Sequence, residues 1–468
     1  MRNDVVRHQL EPWFDPDVVF AALHAADDRV FWLDAGRGAV KGYSYVGQGA
    51  RLVTASLAAG TLTVSGTGED SETVAGDIFE FLDESARGDI TDGAQGSGAG
   101  GFRLGWVGWF GYELRSTTMG APDVPRRSRY PDAAWLEVLR MIEFDHAART
   151  VTLVALGEDW SGERGEWRDS VLAALGKTQK SLAAPVVPSA TEVRWRYSDD
   201  EYLGMIRNCQ AAITRGDAYQ LCLTTEVEVD IRAEPAASYL ALRASSPSHH
   251  GGYLRVGEFS LLSSSPEVFL TVDADGTIES RPIKGTRRRG LTAEEDLALR
   301  RELEASEKER AENLMIVDLM RNDIAKVSEV GSVSVPGLLE VESYAQVHQL
   351  VSTVRGRLRS GTRPVDAVLA CFPAGSMTGA PKSSATSILD GLERRPRGVY
   401  SGAFGYFGLD GRIELAMVIR SIVLDHRGAT IGTGGGITAL SVPEEELDEV
   451  KLKAAALLAV LGAGVSGS

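Results

Sequence analysis

The chain has 468 residues, which at about 100–200 residues per domain is one very large domain or several ordinary ones. Hydrophobic residues at 43% and charged residues at 24% give the balance of a globular protein with a substantial core. The formal net charge of −16 excludes nucleic acid and anionic membrane as partners, because no basic stretch is dense enough to overcome that field.

From the N-terminus, Met1–Phe14 is charged and lacks the apolar core of a signal peptide. Short β-type runs at Thr61–Val64, Arg103–Val107 and Thr150–Leu156 predict an N-terminal sheet region over residues 1–176. Within it, residues 88–101 are rich in Gly, Ser and Asp and predict a mobile surface loop. Residues 177–196, with prolines among small residues, read as a linker or long crossover.

The third region, 197–468, mixes helices and strands. Asp199–Arg215 sets Tyr202, Met205, Ile206, Cys209 and Ile213 on one helical face. Leu221–Val229 and Gly252–Val256 read as strands, and Glu294–Lys326 as a long helix with a break near Arg321–Asp323. Gly405–Leu409, Ile413–Ile419 and Ile422–Asp425 read as strands separated by turns. A last helix begins near Ser441, where Ser441 and Glu444 have capping-box spacing and Pro443 suits a first turn. Ala454–Val465 is too short and Gly-interrupted to span a bilayer. The three cysteines, Cys209, Cys222 and Cys371, form no metal or disulfide pattern, which points to a reducing, cytoplasmic setting. Sheets joined partly by hairpins and partly by helices predict an α+β fold.

Several groups carry chemistry. Glu312 lies on a helix above Met315, Ile316 and Leu319, so its carboxylate needs a cation or strong donors. Glu446 and Glu449 share one side of the last helix, with Lys453 one turn beyond Glu449. Alone, that pair reads as an acidic first turn favoured by the helix dipole. Combined with Glu312, carboxylates from separate helices suit Mg²⁺, a hard cation that prefers oxygen ligands. Gly434, Gly435 and Gly436 follow the strand-like Ala429–Ile431 and form either a plain turn or a backbone cradle for an anion. Gly375–Lys382 has similar character, with Pro381 opening a helix and Lys382 beside its N-terminus. Lys284, flanked by Arg281 and Arg287–Arg289, has the positive surroundings that favour a neutral, nucleophilic amine. A solvated lysine is the plainer reading.

Read together, the motifs SSPE (264–267), PIKGT (282–286), RAENLM (310–315), DLMRND (318–323), HQLVS (348–352), GSMTGAPK (375–382), IRS (419–421) and GGGI (434–437) resemble, in order, those of chorismate-binding enzymes. The resemblance covers about Tyr197 to Ala456 and more loosely the N-terminal region. It implies large, mostly antiparallel sheets packed face to face and flanked by helices. Relatives that add water have a lysine base where this chain has Gln220, and Lys284 resembles the nucleophilic lysine of aminodeoxychorismate synthases, whereas anthranilate synthases have PIAGT at that site. The implied activity is therefore amination of chorismate at C4 through a lysine adduct at C2. The implied roles are Lys284 as nucleophile and Glu267 as general acid. Arg420, Tyr406, Gly434, Gly435, Gly436, Thr378, His348, Lys382 and Lys453 would bind substrate, and Glu312, Glu446 and Glu449 would bind Mg²⁺. No cysteine sits in a Gly-flanked elbow, so ammonia is expected from a separate glutaminase subunit. Amination at C2 and a non-catalytic chorismate-binding subunit are the alternatives.

Overall fold

The computed structural model describes residues 2–66, 68, 71–86, 89–92, 101–120, 127–177, 192–344 and 347–463. Two sheets dominate, one of 13 strands and one of 12. Every pairing is antiparallel except that of Arg2–Leu10 with Asp89–Asp92, among the described residues. The larger sheet runs Glu192–Trp195, Gln220–Asp230, Gly428–Ile437, Ser421–Asp425, Phe259–Ser265, His250–Val256, then Arg29–Asp34, Tyr43–Gln48, Arg140–Asp145, Thr150–Leu156, Arg2–Leu10 and Asp89–Asp92. Strands from residues 1–176 thus join those from 197–468 edge to edge, at Arg29–Asp34 beside His250–Val256. The smaller sheet makes the same junction where Gly105–Phe110 pairs with Ala403–Gly408. The expected loop at 88–101 and the linker at 177–196 fall largely outside the described residues, except that Asp89–Asp92 and Glu192–Trp195 are edge strands.

Alternating side chains explain the layering. Phe31, Leu254 and Leu261 from one sheet meet Val107, Trp109, Leu136 and Phe404 from the other, all fully or nearly fully buried. Each such side chain contributes about 1.5–3 kcal/mol relative to exposure. The outer face of the larger sheet is covered by helices including Pro16–Leu23, Glu163–Leu175, Pro235–Ser245 and Pro443–Val460. That of the smaller sheet is covered by Ile78–Ser85, Glu307–Ala325 and Pro364–Cys371. The α+β architecture with face-to-face sheets is as expected.

Two helix ends differ from expectation. The long helix divides at Ser306, which caps Ala293–Ala305 and precedes Glu307–Ala325, while Arg321–Asp323 stays helical. The Ser441–Glu444 capping box does not form. Val442 is the N-cap, and the Ser441 hydroxyl donates instead to Glu446 at 2.7 Å.

Beneath the open end of the larger sheet, one buried cation ties separate elements together. Arg397 forms a fork with Glu393 (2.8 and 2.7 Å) and donates to the carbonyls of Met377 (2.7 Å) and Cys222 (2.9 Å). Glu393 also accepts from the Thr224 backbone and hydroxyl at 2.9 and 3.0 Å. The Arg397 guanidinium stacks 4.3 Å from the Tyr112 ring centroid. Arg397→Leu strands the Glu393 carboxylate and is expected to destabilise the protein by about 3–5 kcal/mol. A urea melt that shifts by less than a quarter of that would show the network to be dispensable.

Candidate active site

The floor of the site is the paired strands Gln220–Asp230 and Gly428–Ile437, in which Cys222 faces Gly436, Leu223 faces Gly435 and Thr224 faces Gly434. The three glycines lie within a strand, not in a turn or nest, so the expected cradle is corrected. Their role is close approach. A Cβ on Gly434 would meet the Leu223 carbonyl at 2.5 Å, and one on Gly436 the Gln220 amide at 2.2 Å. Strand Ser421–Asp425 pairs with this strand only as far as Ile431, which leaves one backbone edge beyond it unpaired by strand; Lys453 donates to the Gly434 carbonyl there at 2.9 Å.

Around this floor stand groups from distant parts of the chain. Lys284, on strand Ile283–Arg288, makes no hydrogen bond or ion pair among the described residues, yet its charge acts on Glu267, Glu312, Glu449 and Cys222. Glu267 is buried and its carboxyl is pushed up to about 7 by that burial, against the opposing pull of Lys284 and of hydrogen bonds from Ser376 and the Ile283 backbone. The arginines near Lys284 are each committed to a carboxylate. Arg281 is paired with Glu342, Arg287 with Glu302 and Glu309, Arg288 with Glu295, and Arg289 with Asp296, so their charge is neutralised.

Glu312 is half-buried, with its carboxyl raised by burial and by the charges of Glu446 and Glu449, while Lys284 and Lys308 oppose the shift. Glu446 is buried. Its Oε1 receives Ser441, with Lys308 at 3.5 Å, and its Oε2 faces Gly435. For Glu449, burial works against ionisation, but Lys453 at 2.7 Å, with Lys308 and Lys284, holds the carboxyl below the usual range. Three mutually repelling carboxylates from two helices are the hard oxygen donors a divalent cation takes. Among the described residues no group of three His, Cys, Asp or Glu side chains is placed so as to hold a metal ion as it stands.

Other expected residues fall elsewhere. Tyr406 lies between the sheets, 4.6 Å from Phe102, and donates to Glu414 at 3.3 Å. Tyr400, by contrast, covers Gly432 with its ring and interacts with Arg420. Arg420 is exposed, and its guanidinium has no hydrogen bond or ion pair among the described residues. His348 is engaged with Ser343 (2.8 Å) and Asp296 (2.9 Å), a structural clamp. Lys382 is locked to Asp323 at 2.6 Å and the Cys371 carbonyl at 2.8 Å, so it presents no charge to an anion. Thr378 donates to Ala374 and Gly375 and stabilises its own loop, though its carbonyl holds Cys222. Gln220 is buried with Oε1 unpartnered.

The family profile described as chorismate binding enzyme matches residues 31–459. This chain belongs to the chorismate-binding enzyme family. It is 44% identical over its whole length to an aminodeoxychorismate synthase of Streptomyces griseus, of which it covers 65%. It is 34% identical to an anthranilate synthase component 1 of Mycolicibacterium smegmatis, over 91% of this chain and 83% of that one. The solved anthranilate synthase component I of Streptococcus pneumoniae superimposes with a TM-score of 0.75 at 28% identity, covering 90% of this chain and 93% of that one. The chain spans just under two thirds of the length of the aminodeoxychorismate synthase relative. No helix among the described residues is long and apolar enough to cross a membrane.

Because burial dominates the Glu267 shift, this carboxyl should lose its proton around pH 7 rather than near 4.5. The folded state then holds more protons than the unfolded chain between those values, so this group's contribution to stability falls as pH rises through that window. Infrared difference titration should show a protonated carboxyl band disappearing near neutrality, and Glu267→Gln should remove it. A band that vanishes below pH 5 would place Glu267 in an ordinary environment.

Proposed function

We propose that the chain is the synthase component of an aminodeoxychorismate synthase, aminating chorismate at C4. The observation that carries this reading is the pairing of Lys284, whose amine has no partner among the described residues, with Glu267, a carboxyl poised near neutrality. Arg420 and Tyr400 add unpartnered donors among the described residues, matching the carboxylates of a dianionic substrate. The 44% identity to a protein named aminodeoxychorismate synthase supports the choice of branch.

The neutral Lys284 amine attacks C2, the ring double bonds shift, and the C4–O bond breaks as Glu267 gives its proton to the departing hydroxyl, which leaves as water. Ammonia then bonds to C4, the double bonds shift back, and Lys284 departs from C2 with its electron pair. The product keeps its enolpyruvyl group. Arg420 and Tyr400 orient the substrate carboxylates, and Lys453 braces the glycine strand against Glu449. A divalent cation held by Glu312, Glu446 and Glu449 would supply fixed positive charge for a substrate carboxylate. Gln220, unlike a lysine, has no basic atom with which to deprotonate water.

Ammonia is supplied by a glutaminase outside the described residues. Burial pushes the Cys209 and Cys371 thiols up to about 12 and also raises Cys222, the opposite of an activated thiolate.

Incubation with chorismate, Mg²⁺ and ammonium near pH 8.5 should yield 4-amino-4-deoxychorismate by mass and absorbance. Anthranilate with released pyruvate would overturn the C4 assignment. Lys284→Ala should abolish the substrate–lysine adduct seen by mass spectrometry, and Glu267→Gln should lower turnover by about 10²–10⁴-fold. An undiminished adduct in Lys284→Ala would remove that lysine from the mechanism.

A further inference from the structure

Lys308 opens the helix Glu307–Ala325 one turn before Glu312, so the two side chains share a face. Its amine lies 3.5 Å from Glu446 Oε1, and its charge acts also on Glu312 and Glu449. The contact is loose: the Lys308 side chain is 54% exposed, whereas Glu446 is 5% exposed. Lys453, by contrast, has its amine held twice, by Glu449 and by the Gly434 carbonyl. One cation is therefore built into the floor, and the other reaches in from solvent on a flexible stem.

We propose that Lys308 is a resident counter-ion that competes with a divalent cation for the Glu312, Glu446 and Glu449 carboxylates and swings outward when the cation binds. The inference rests on the proposed use of a divalent cation at these residues. Its physical basis is charge balance. Three carboxylates facing one another require compensation in the metal-free protein, and Lys308 provides it with little loss, since its exposed stem can return to water. A dication entering the same cluster meets repulsion from a unit charge only a few ångströms away.

Calorimetric titration of MgCl₂ into the chorismate-free protein tests this directly. Lys308→Met and Lys308→Gln should each bind Mg²⁺ about tenfold more tightly than the parent, the order expected for loss of one nearby like charge at intermediate dielectric. Both should also melt at lower temperature without metal and regain that loss at saturating Mg²⁺. Lys451→Met, which removes a lysine paired with Asp199 on the same final helix, should bind as the parent does. Unchanged or weaker binding in the Lys308 variants, with the parent still binding, would overturn the counter-ion role and leave the cation site standing. Equal tightening in Lys451→Met would also overturn it, by showing a diffuse charge effect. A parent that binds no Mg²⁺ would overturn both readings.

Discussion

The Arg397–Glu393 fork is the constraint on which the site's shape depends. Both groups are almost fully buried, so neither can satisfy its charge with water. Arg397 must therefore hold the carbonyls of Met377 and Cys222, and Glu393 must hold Thr224, for the pair to be tolerable at all. Those obligations fix the loop Gly375–Lys382 against the floor strand. Ser376, in that loop, touches Glu267, and Cys222 backs onto Gly436. The Arg397–Glu393 pair thus ties the loop that contacts Glu267 to the floor strand. Specificity of geometry, rather than net stability, is what such a buried pair supplies here.

Much of the fold was legible because burial leaves a period in the chain. Thr150–Leu156 and the helix from Asp199 show their periods plainly, and the structure places both where the pattern did. Boundaries set by single contacts were not legible. Ser306 interrupts a continuous helical pattern with an extended backbone, and Ser441 prefers a carboxylate five residues on to the cap position its spacing suggested. Neither resemblance nor residue type shows which polar groups are already engaged by other parts of the chain. His348 and Lys382 each carry the chemistry of a substrate ligand, but Asp296 and Asp323 lie close enough to claim them. Nothing local in the chain marks which lysine meets a distant aspartate. Tyr400 and Tyr406 flank the same glycine-rich run, and only the pairing of the strands decides that one covers Gly432 while the other enters the core between the sheets.

The glycine strand shows how one sequence feature served two physical ends. Successive glycines suggested positive φ and a cradle of amides. The structure keeps them extended and uses the missing side chains as space, with Gln220, Glu446 and the Leu223 carbonyl occupying what a Cβ would fill. Polar groups around the glycines are therefore a strand edge left unpaired beyond Ile431 and the side chains beside it, not the amides of a turn.

Charge is distributed around that edge in two opposed sets. Lys284 and Arg420 are cations without partners among the described residues, whereas Glu312, Glu446 and Glu449 are anions in excess of the cations fixed beside them. Each set is unfavourable alone. Burial, with smaller contributions from Glu446 and Glu449, raises Glu312, and desolvation raises Glu267 enough to keep it partly protonated near neutrality. A dicarboxylate substrate with a divalent cation would relieve both sets at once, the carboxylates turning toward the free cations and the metal toward the acidic helices. The arginines near Lys284 take part in neither set. They are spent on carboxylates of the flanking helices and strand, which leaves Lys284 as the lysine whose charge reaches Glu267, Glu312 and Glu449 together.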